Sequence, residues 1–286
     1  MEIISVGSSS SGNSYIIKAG DHTVILDVGL PAKRIRAALE ESEIAPEDVE
    51  AVMITHEHTD HVKSVRAISR LCCNAKFYAS RGTIESASNF QYLDDARIHI
   101  LSAGDTVTLS NSDEDNSENY NDITISAFTL SHDAAEPLGF AVISDEQKLA
   151  VVTDTGIVTD EIYDAVSDAD ILVFEANHDL NMLMYGEYPY PLKMRIKGDF
   201  GHLSNEYAGE VLARMLAETF DQNERKKRKI MLAHLSFHNN APIFARQTVE
   251  ETLEKSGFTK GEDYTLDVAS KEELTVLTWN GESDEW

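Results

Sequence analysis

Apolar residues recur along this chain in short, β-branched runs, each followed closely by a polar residue. Residues 3–6 and 15–17 flank a small-residue segment at 7–14, and the runs at 51–54, 123–130, 149–152, 171–174 and 230–233 repeat the pattern. Residues 97–101 alternate polar with apolar. Runs of this length and composition predict strands, most of them buried. Three stretches read as helices instead: 35–41, 206–220 and 62–72, the last with Val62, Val65, Ile68 and Leu71 on one face. Strands interleaved with helices predict α/β layers.

The polar residues that end these runs are of metal-ligating type. After 51–54 comes Thr55-His56-Glu57-His58-Thr59-Asp60-His61, which places three imidazoles and an aspartate at a strand-to-helix junction. His56 and His58, two apart in an extended loop, can reach a metal from a common edge. Asp60 and His61 enter the first helical turn and can face a second one. His132 follows the run at 123–130, Asp154 the run at 149–152, and His234 the run at 230–233. Several strands ending in ligands along one sheet edge can build a site from residues remote in sequence. Imidazole with carboxylate suits zinc, manganese or iron, and gives little encouragement to calcium, which prefers oxygen alone.

The order His-x-His-x-Asp-His, then His132, Asp154 and His234, with Asp27 in Leu26-Asp27-Val28-Gly29, resembles the metallo-β-lactamase superfamily. The resemblance implies a four-layer αββα sandwich. Gly7-Ser8-Ser9-Ser10-Ser11-Gly12-Asn13-Ser14, Glu175-Ala176-Asn177-His178-Asp179, Tyr188-Pro189-Tyr190-Pro191-Leu192-Lys193 and Gly201-His202-Leu203-Ser204-Asn205 look like its WalJ/YycJ-like branch of bacterial metal-dependent DNA exonucleases. That likeness implies two divalent ions, one held by His56, His58 and His132, the other by Asp60, His61 and His234, with Asp154 bridging. It also implies that Asp27 orients a ligand imidazole through its other nitrogen. Two cations roughly 3.5–4 Å apart activate a water as hydroxide and neutralise charge on a phosphate oxygen. The same resemblance assigns His202, supported by Glu175, as the acid that protonates the leaving sugar oxygen, since a neighbouring glutamate favours a protonated imidazole.

Substrate contacts are read from pattern. Lys193, Arg195 and Lys197 alternate with Leu192, Met194 and Ile196, so an extended segment would point three cations to one side as a phosphate track. Tyr185, Tyr188 and Tyr190 lie beside them and can stack on unpaired bases. An exposed amphipathic hairpin would give the same pattern without DNA. The 7–14 segment, including Asn13, is either a phosphate-approaching loop or simply a tight hairpin turn. His178 either touches a phosphate or a metal-bound water, or caps the loop after 171–174. His22 and His99 are expected to be exposed, and His238 to be a hydrogen-bonding loop residue.

Composition narrows this picture. Lys and Arg number 24 against 50 Asp and Glu, a formal net charge of -26, whereas nucleic-acid binders are more often basic. Part of the excess lies in a low-complexity acidic insertion, 110–122, and an acidic tail, 281–286, both expected to be mobile. A narrow basic strip on a repelling surface is the expected compromise. The run 224–229 reads as a solvated connection. Adjacent Cys72 and Cys73 are expected to be reduced, packed thiols. No signal-peptide pattern or membrane-span length appears, so a cytoplasmic location without membrane contact is expected. With ligands spread from His56 to His234, one domain over 1–286 is expected. The leading functional expectation is 5′ to 3′ hydrolysis of DNA from an end. The alternatives are a hydrolase of RNA or of a small nucleotide phosphodiester, or a metal-stabilised regulatory partner protein. Protein partners are not legible in the sequence.

Overall fold

In the computed structural model, which describes residues 1–110, 122–145, 147–221 and 227–279, the apolar runs assemble into two seven-stranded sheets. The first takes β1 (Glu2–Ser9), β2 (Gly12–Ala19), β3 (His22–Leu26), β4 (Val49–Met53), β5 (Lys76–Ser80) and β6 (Ile98–Leu101) in order, and β14 (Thr275–Thr278) pairs with β1. The second takes β7 (Thr106–Leu109), β8 (Ile123–Thr129), β9 (Leu138–Ser144), β10 (Gln147–Val152), β11 (Ile171–Glu175), β12 (Arg228–Ala233) and β13 (Tyr264–Val268). Each begins with antiparallel hairpins and turns parallel, at β3–β4 in one and β10–β11 in the other. Parallel neighbours require crossovers, which helices provide. These are α1 (Ala32–Glu41), α2 (Thr59–Val62), α3 (Val65–Leu71) and α4 (Arg81–Ser86) on the first sheet. On the second they are α5 (Asp160–Val166), α6 (Leu180–Tyr185), α7 (Tyr190–Lys197), α8 (Asn205–Asp221) and α9 (Pro242–Lys255).

The pleat sorts the side chains. In β11, Ile171 and Val173 join Tyr15, Ile17 and Val24 of the opposite sheet in an apolar layer between the sheets. Leu172 and Phe174 point the other way, to Ile162, Leu212 and Val249 under α5, α8 and α9. Ile16, Ile25 and Val52 likewise meet Ile35, Leu39, Val65 and Ile68 of α1 and α3. Period-two alternation with both faces covered yields the expected αββα sandwich. Among the described residues no helix is long and apolar enough to cross a membrane.

Several local expectations change. The helix expected at 62–72 is two helices, because Ser64 donates its N–H to Val28 O (2.9 Å) and its hydroxyl to Leu30 O (2.6 Å), which breaks the chain between α2 and α3. His22 is buried, its Nδ1 2.8 Å from Glu50 Oε1, since it opens β3 rather than extending the preceding turn. His99 is half-buried and stacks on the Tyr78 ring at 5.0 Å. Cys72 is packed inside, whereas Cys73 is exposed. Arg228 and Lys229 are strand residues of β12, with Arg228 buried, and do not belong to a solvated connection. The acidic insertion, apart from Ser110 and Asp122, and the tail lie outside the described residues.

Candidate metal centre

The site forms where β3, β4, β10, β11 and β12 end. Asp27, Asp154 and His234, each within two residues of a strand end, have φ of 58°, 60° and 56°, the left-handed region that non-glycine residues rarely enter. Such backbone turns sharply and swings each side chain off the sheet edge, a strain that concentrates at functional sites. Gly29 permits the loop after β3 to lie against α2: a Cβ there would sit 1.5 Å from Asp60 O. Val28 N–H donates to His61 O across this contact at 2.8 Å.

Each of four histidines has one ring nitrogen engaged by the protein and the other turned to a common centre. His61 Nδ1 lies 2.7 Å from Asp27 Oδ2, and His234 Nδ1 2.8 Å from Glu175 Oε1. His132 Nδ1 lies 3.1 Å from Gly201 O, and His56 Nδ1 3.0 Å from Thr55 Oγ1. Thr55 in turn donates its hydroxyl to Asp27, whose Oδ1 also accepts Thr55 N–H at 2.9 Å. The opposite nitrogens converge. His56, His58 and His132 bring ligand atoms within 4.8 Å of one another, as do Asp60, His61 and His234. Asp154 lies between the triads, its Oδ2 3.2 Å from His61 Nε2 and its Oδ1 3.5 Å from His234 Nε2 and 3.7 Å from His132 Nε2.

These donors fit divalent cations. His56 Nε2, His234 Nε2 and Asp154 Oδ2 are buried without a hydrogen-bond partner, an unfavourable state that a cation among them would relieve. The set of imidazole nitrogens and carboxylates is one that zinc, manganese or iron accepts. Asp154, Glu175, His202 and His234 also cluster within 4.8 Å, but this group is already hydrogen-bonded to itself. Glu175 Oε1 lies 2.8 Å from both His202 Nδ1 and His234 Nδ1, and its Oε2 accepts Thr155 N–H at 3.0 Å.

Charge is dense here. Burial pulls the His234 pKa down, but the carboxylates of Asp154, Asp60 and Glu175 outweigh it and hold it at about 10. His61 moves in the same direction, well above its ordinary value, as Asp154, Asp27 and Asp60 overcome the burial that opposes them. His56 goes the other way, through burial and the neighbouring His61. The ion-free protein thus keeps protons on His61 and His234 at neutral pH, and their Nδ1 atoms already face carboxylates. A ligating imidazole must release the Nε2 proton, so cation uptake should expel protons and apparent affinity should rise with pH. Calorimetry in buffers of different ionisation enthalpy should detect at least about one proton released per protein at pH 7.5. Uptake without proton release would show that His61 and His234 do not both carry the proton that ligation displaces. The raised His234 pKa also stabilises the ion-free fold fully below its unfolded value of about 6.5, and that contribution is lost as pH rises toward about 10.

The expected phosphate track is rearranged. Residues 193–197 belong to α7, because Pro191 fits the first helical turn, so Arg195 faces away from Lys193 and Lys197. Lys193 is buried and its Nζ donates to Met184 O (2.9 Å) and Gly186 O (2.7 Å), which ties α7 to the end of α6 and removes it as a phosphate contact. Arg195 and Lys197 remain exposed, with Arg195 Nε 2.5 Å from Asp133 Oδ2. Asn13 is fully buried, its Nδ2 3.2 Å from His61 Nε2. His178 is buried with both ring nitrogens unpartnered, and burial lowers its pKa to about 4 despite the opposing charge of Glu175. His238 lies beside the Tyr188 ring at 5.7 Å. Sequence reasoning missed Ser8, Thr55 and the Gly201 carbonyl as supports of the cluster. Thr55 stands inside the histidine motif, but a backbone carbonyl carries no sequence signal.

The chain belongs to the metallo-β-lactamase superfamily: residues 22–220 match the family model of the beta-lactamase superfamily domain. Within that superfamily it falls with the WalJ/YycJ proteins. It is 35% identical over 276 residues to Exodeoxyribonuclease WalJ of Streptococcus pneumoniae serotype 2 (strain D39 / NCTC 7466), covering 96% of each chain. It is 33% identical over 262 residues to Exodeoxyribonuclease YycJ of Bacillus anthracis, covering 91% of this chain and 92% of that one. Among solved structures, the metallo-beta-lactamase fold protein YhfI of Bacillus subtilis superposes with a TM-score of 0.66 at 13% identity, over 96% of this chain and 98% of that one. Zn(2+)-bound PqqB of Methylobacterium extorquens gives 0.61 at 15%, over 98% and 100%. At such identities these two structures speak for the fold alone.

Proposed function

We propose that this chain is a metal-dependent exodeoxyribonuclease that hydrolyses phosphodiesters from an end of DNA, in the 5′ to 3′ direction, in the cytoplasm. The observation that carries the reading is Glu175 Oε1, 2.8 Å from both His234 Nδ1 and His202 Nδ1. One carboxylate oxygen couples the metal-ligating cluster to a partly exposed imidazole, as a hydrolase that needs a leaving-group acid requires. The full-length similarity to proteins named exodeoxyribonuclease supplies the substrate class.

In this reading His56, His58 and His132 would hold one divalent ion and Asp60, His61 and His234 a second, with Asp154 available to both. When bound, zinc, manganese or iron in these places supplies Lewis acidity, which makes water acidic and offsets charge on phosphate. Asp27 and Glu175 hold the His61 and His234 rings with Nε2 turned inward. His202 commits Nδ1 to Glu175, so Nε2 is the atom that meets the departing sugar oxygen and hands it a proton. Arg195 and Lys197, exposed on different faces of α7, are left as separate contacts for the DNA backbone, and the exposed rings of Tyr185, Tyr190 and Phe237 offer stacking faces for terminal bases. On a chain of net charge -26, two separated cations attract phosphate only locally.

A time course on end-labelled linear double-stranded DNA, with manganese or zinc added to ion-free protein, tests the reading. Mononucleotides should leave the 5′ label first, and His202→Ala should slow release by about 10²-fold or more with metal content intact. Cleavage of neither label with either metal would refute the nuclease reading. Early release from the 3′ label would reverse the polarity, and metal loss in the variant would make His202 a ligand.

A further inference from the structure

Asn13 sits at the start of β2 with no exposed surface, and a chain of donors fixes which way its carboxamide faces. The backbone N–H of His234 (2.8 Å) and the hydroxyl of Tyr15 (2.7 Å) both donate to Ser8 Oγ. Ser8 therefore gives its own hydroxyl proton to Asn13 Oδ1 at 2.8 Å, and Ser9 N–H adds a second hydrogen bond at 3.2 Å. With Oδ1 set as the acceptor, Nδ2 is the donor side. One of its two N–H bonds goes to Ser9 O at 3.1 Å, and the other meets His61 Nε2 at 3.2 Å.

His61 Nε2 is also the nitrogen left for an ion, because Nδ1 is held by Asp27. In the loaded protein that nitrogen's lone pair belongs to the ion, so the second Asn13 N–H, turned toward the same place, has no acceptor there. A buried donor without a partner is unfavourable, so the loaded site calls for an oxygen at this place. We infer that Asn13 Nδ2–H donates to a non-bridging oxygen of the scissile phosphate, making Asn13 a catalytic residue that stabilises the charge growing on that oxygen. The inference rests on the phosphodiesterase reading above and deepens it. In the loaded site the candidate ligands of the histidine motif, His56, His58, Asp60 and His61, cannot do the same work, since each turns a lone pair, and no proton, toward the ions.

Asn13→Ala and Asn13→Ser, loaded with manganese, test this beside the wild type on three readouts. These are metal content, calorimetric affinity for orthophosphate, and cleavage of oligonucleotides with a native, Rp or Sp phosphorothioate terminal linkage. Both variants should keep wild-type metal content while kcat falls about 100-fold with KM little changed. Orthophosphate should bind about 10-fold more weakly. The phosphorothioate diastereomer that slows the wild type most should slow the variants by a smaller factor, because the donor that sulfur frustrates is already gone. Equal thio effects with unchanged orthophosphate affinity would overturn the inference. Loss of the metals would do so too, by making Asn13 a positioning residue for His61. Loaded wild type that cleaves no DNA would sink the exonuclease reading instead, and the orthophosphate comparison would still decide whether Asn13 meets a phosphate oxygen. Should one variant fail to fold, the other carries the comparison.

Discussion

Asp154→Ala is expected to lower turnover by about 10⁴-fold or more and to strip divalent ions from the protein. Its two oxygens approach the inward nitrogens of His61, His234 and His132 at 3.2, 3.5 and 3.7 Å, so one side chain serves both triads. Burial alone would raise its pKa, yet the charges of His234 and His61 hold it well below the usual carboxylate range, and it stays an anion. Its removal leaves those buried imidazoles facing one another without the charge that separates them. The alanine also takes over a backbone at φ 60°, which disfavours a non-polar L-residue by roughly 1–2 kcal/mol. Asp154→Asn separates the two effects, because asparagine tolerates that backbone and keeps the shape while it removes the charge. Both variants should lose metal and turnover by elemental analysis and single-turnover cleavage, with the alanine losing more thermal stability of the ion-free fold than the asparagine, by its added backbone cost. A variant with full metal content and wild-type turnover would remove Asp154 from between the ions.

What the sequence made legible follows from how local each feature is. The histidine motif at 56–61 is contiguous, and its place between an apolar run and a helical one is set by composition alone. His132, Asp154 and His234 were visible because strands end where side chains must leave the sheet. Glu175 and His202 came through family resemblance, since a hydrogen bond between residues 27 apart leaves no periodic trace. The basic stretch at 193–197 was misread because its alternation has the period of an extended segment, whereas the chain there is a helix that splits the three cations between faces. Pro191, at home in a helix's first turn and unwelcome in a strand, was the signal that could have decided it. Lys193 then proved to be an internal tie to two carbonyls. His22 was misjudged from the glycine turn before it, although its place as the first residue of an apolar run pointed inward.

Glu175→Gln should lower turnover by about 10³-fold at limiting metal, from weaker ion binding and poorer proton delivery together. Burial opposes ionisation of Glu175, but the charge and hydrogen bond of His202, with the hydrogen bond of His234, bring its pKa to about 2. As a carboxylate it accepts on every side: Oε1 from both imidazoles at 2.8 Å, Oε2 from Thr155 N–H at 3.0 Å and Leu203 N–H at 3.4 Å. An amide cannot. If its oxygen faces the imidazoles, its NH₂ meets the two backbone N–H groups, donor against donor. If it flips, the NH₂ faces both Nδ1 atoms and drives the protons to Nε2, which disables His234 as a ligand. Excess manganese should restore the binding part of the loss and leave a residue of about 10²-fold. At saturating metal, Glu175→Gln combined with His202→Ala should then be little worse than either alone, because both act on the same proton. Complete rescue by metal would confine Glu175 to orienting His234, and additive losses would break the link between this carboxylate and the His202 proton.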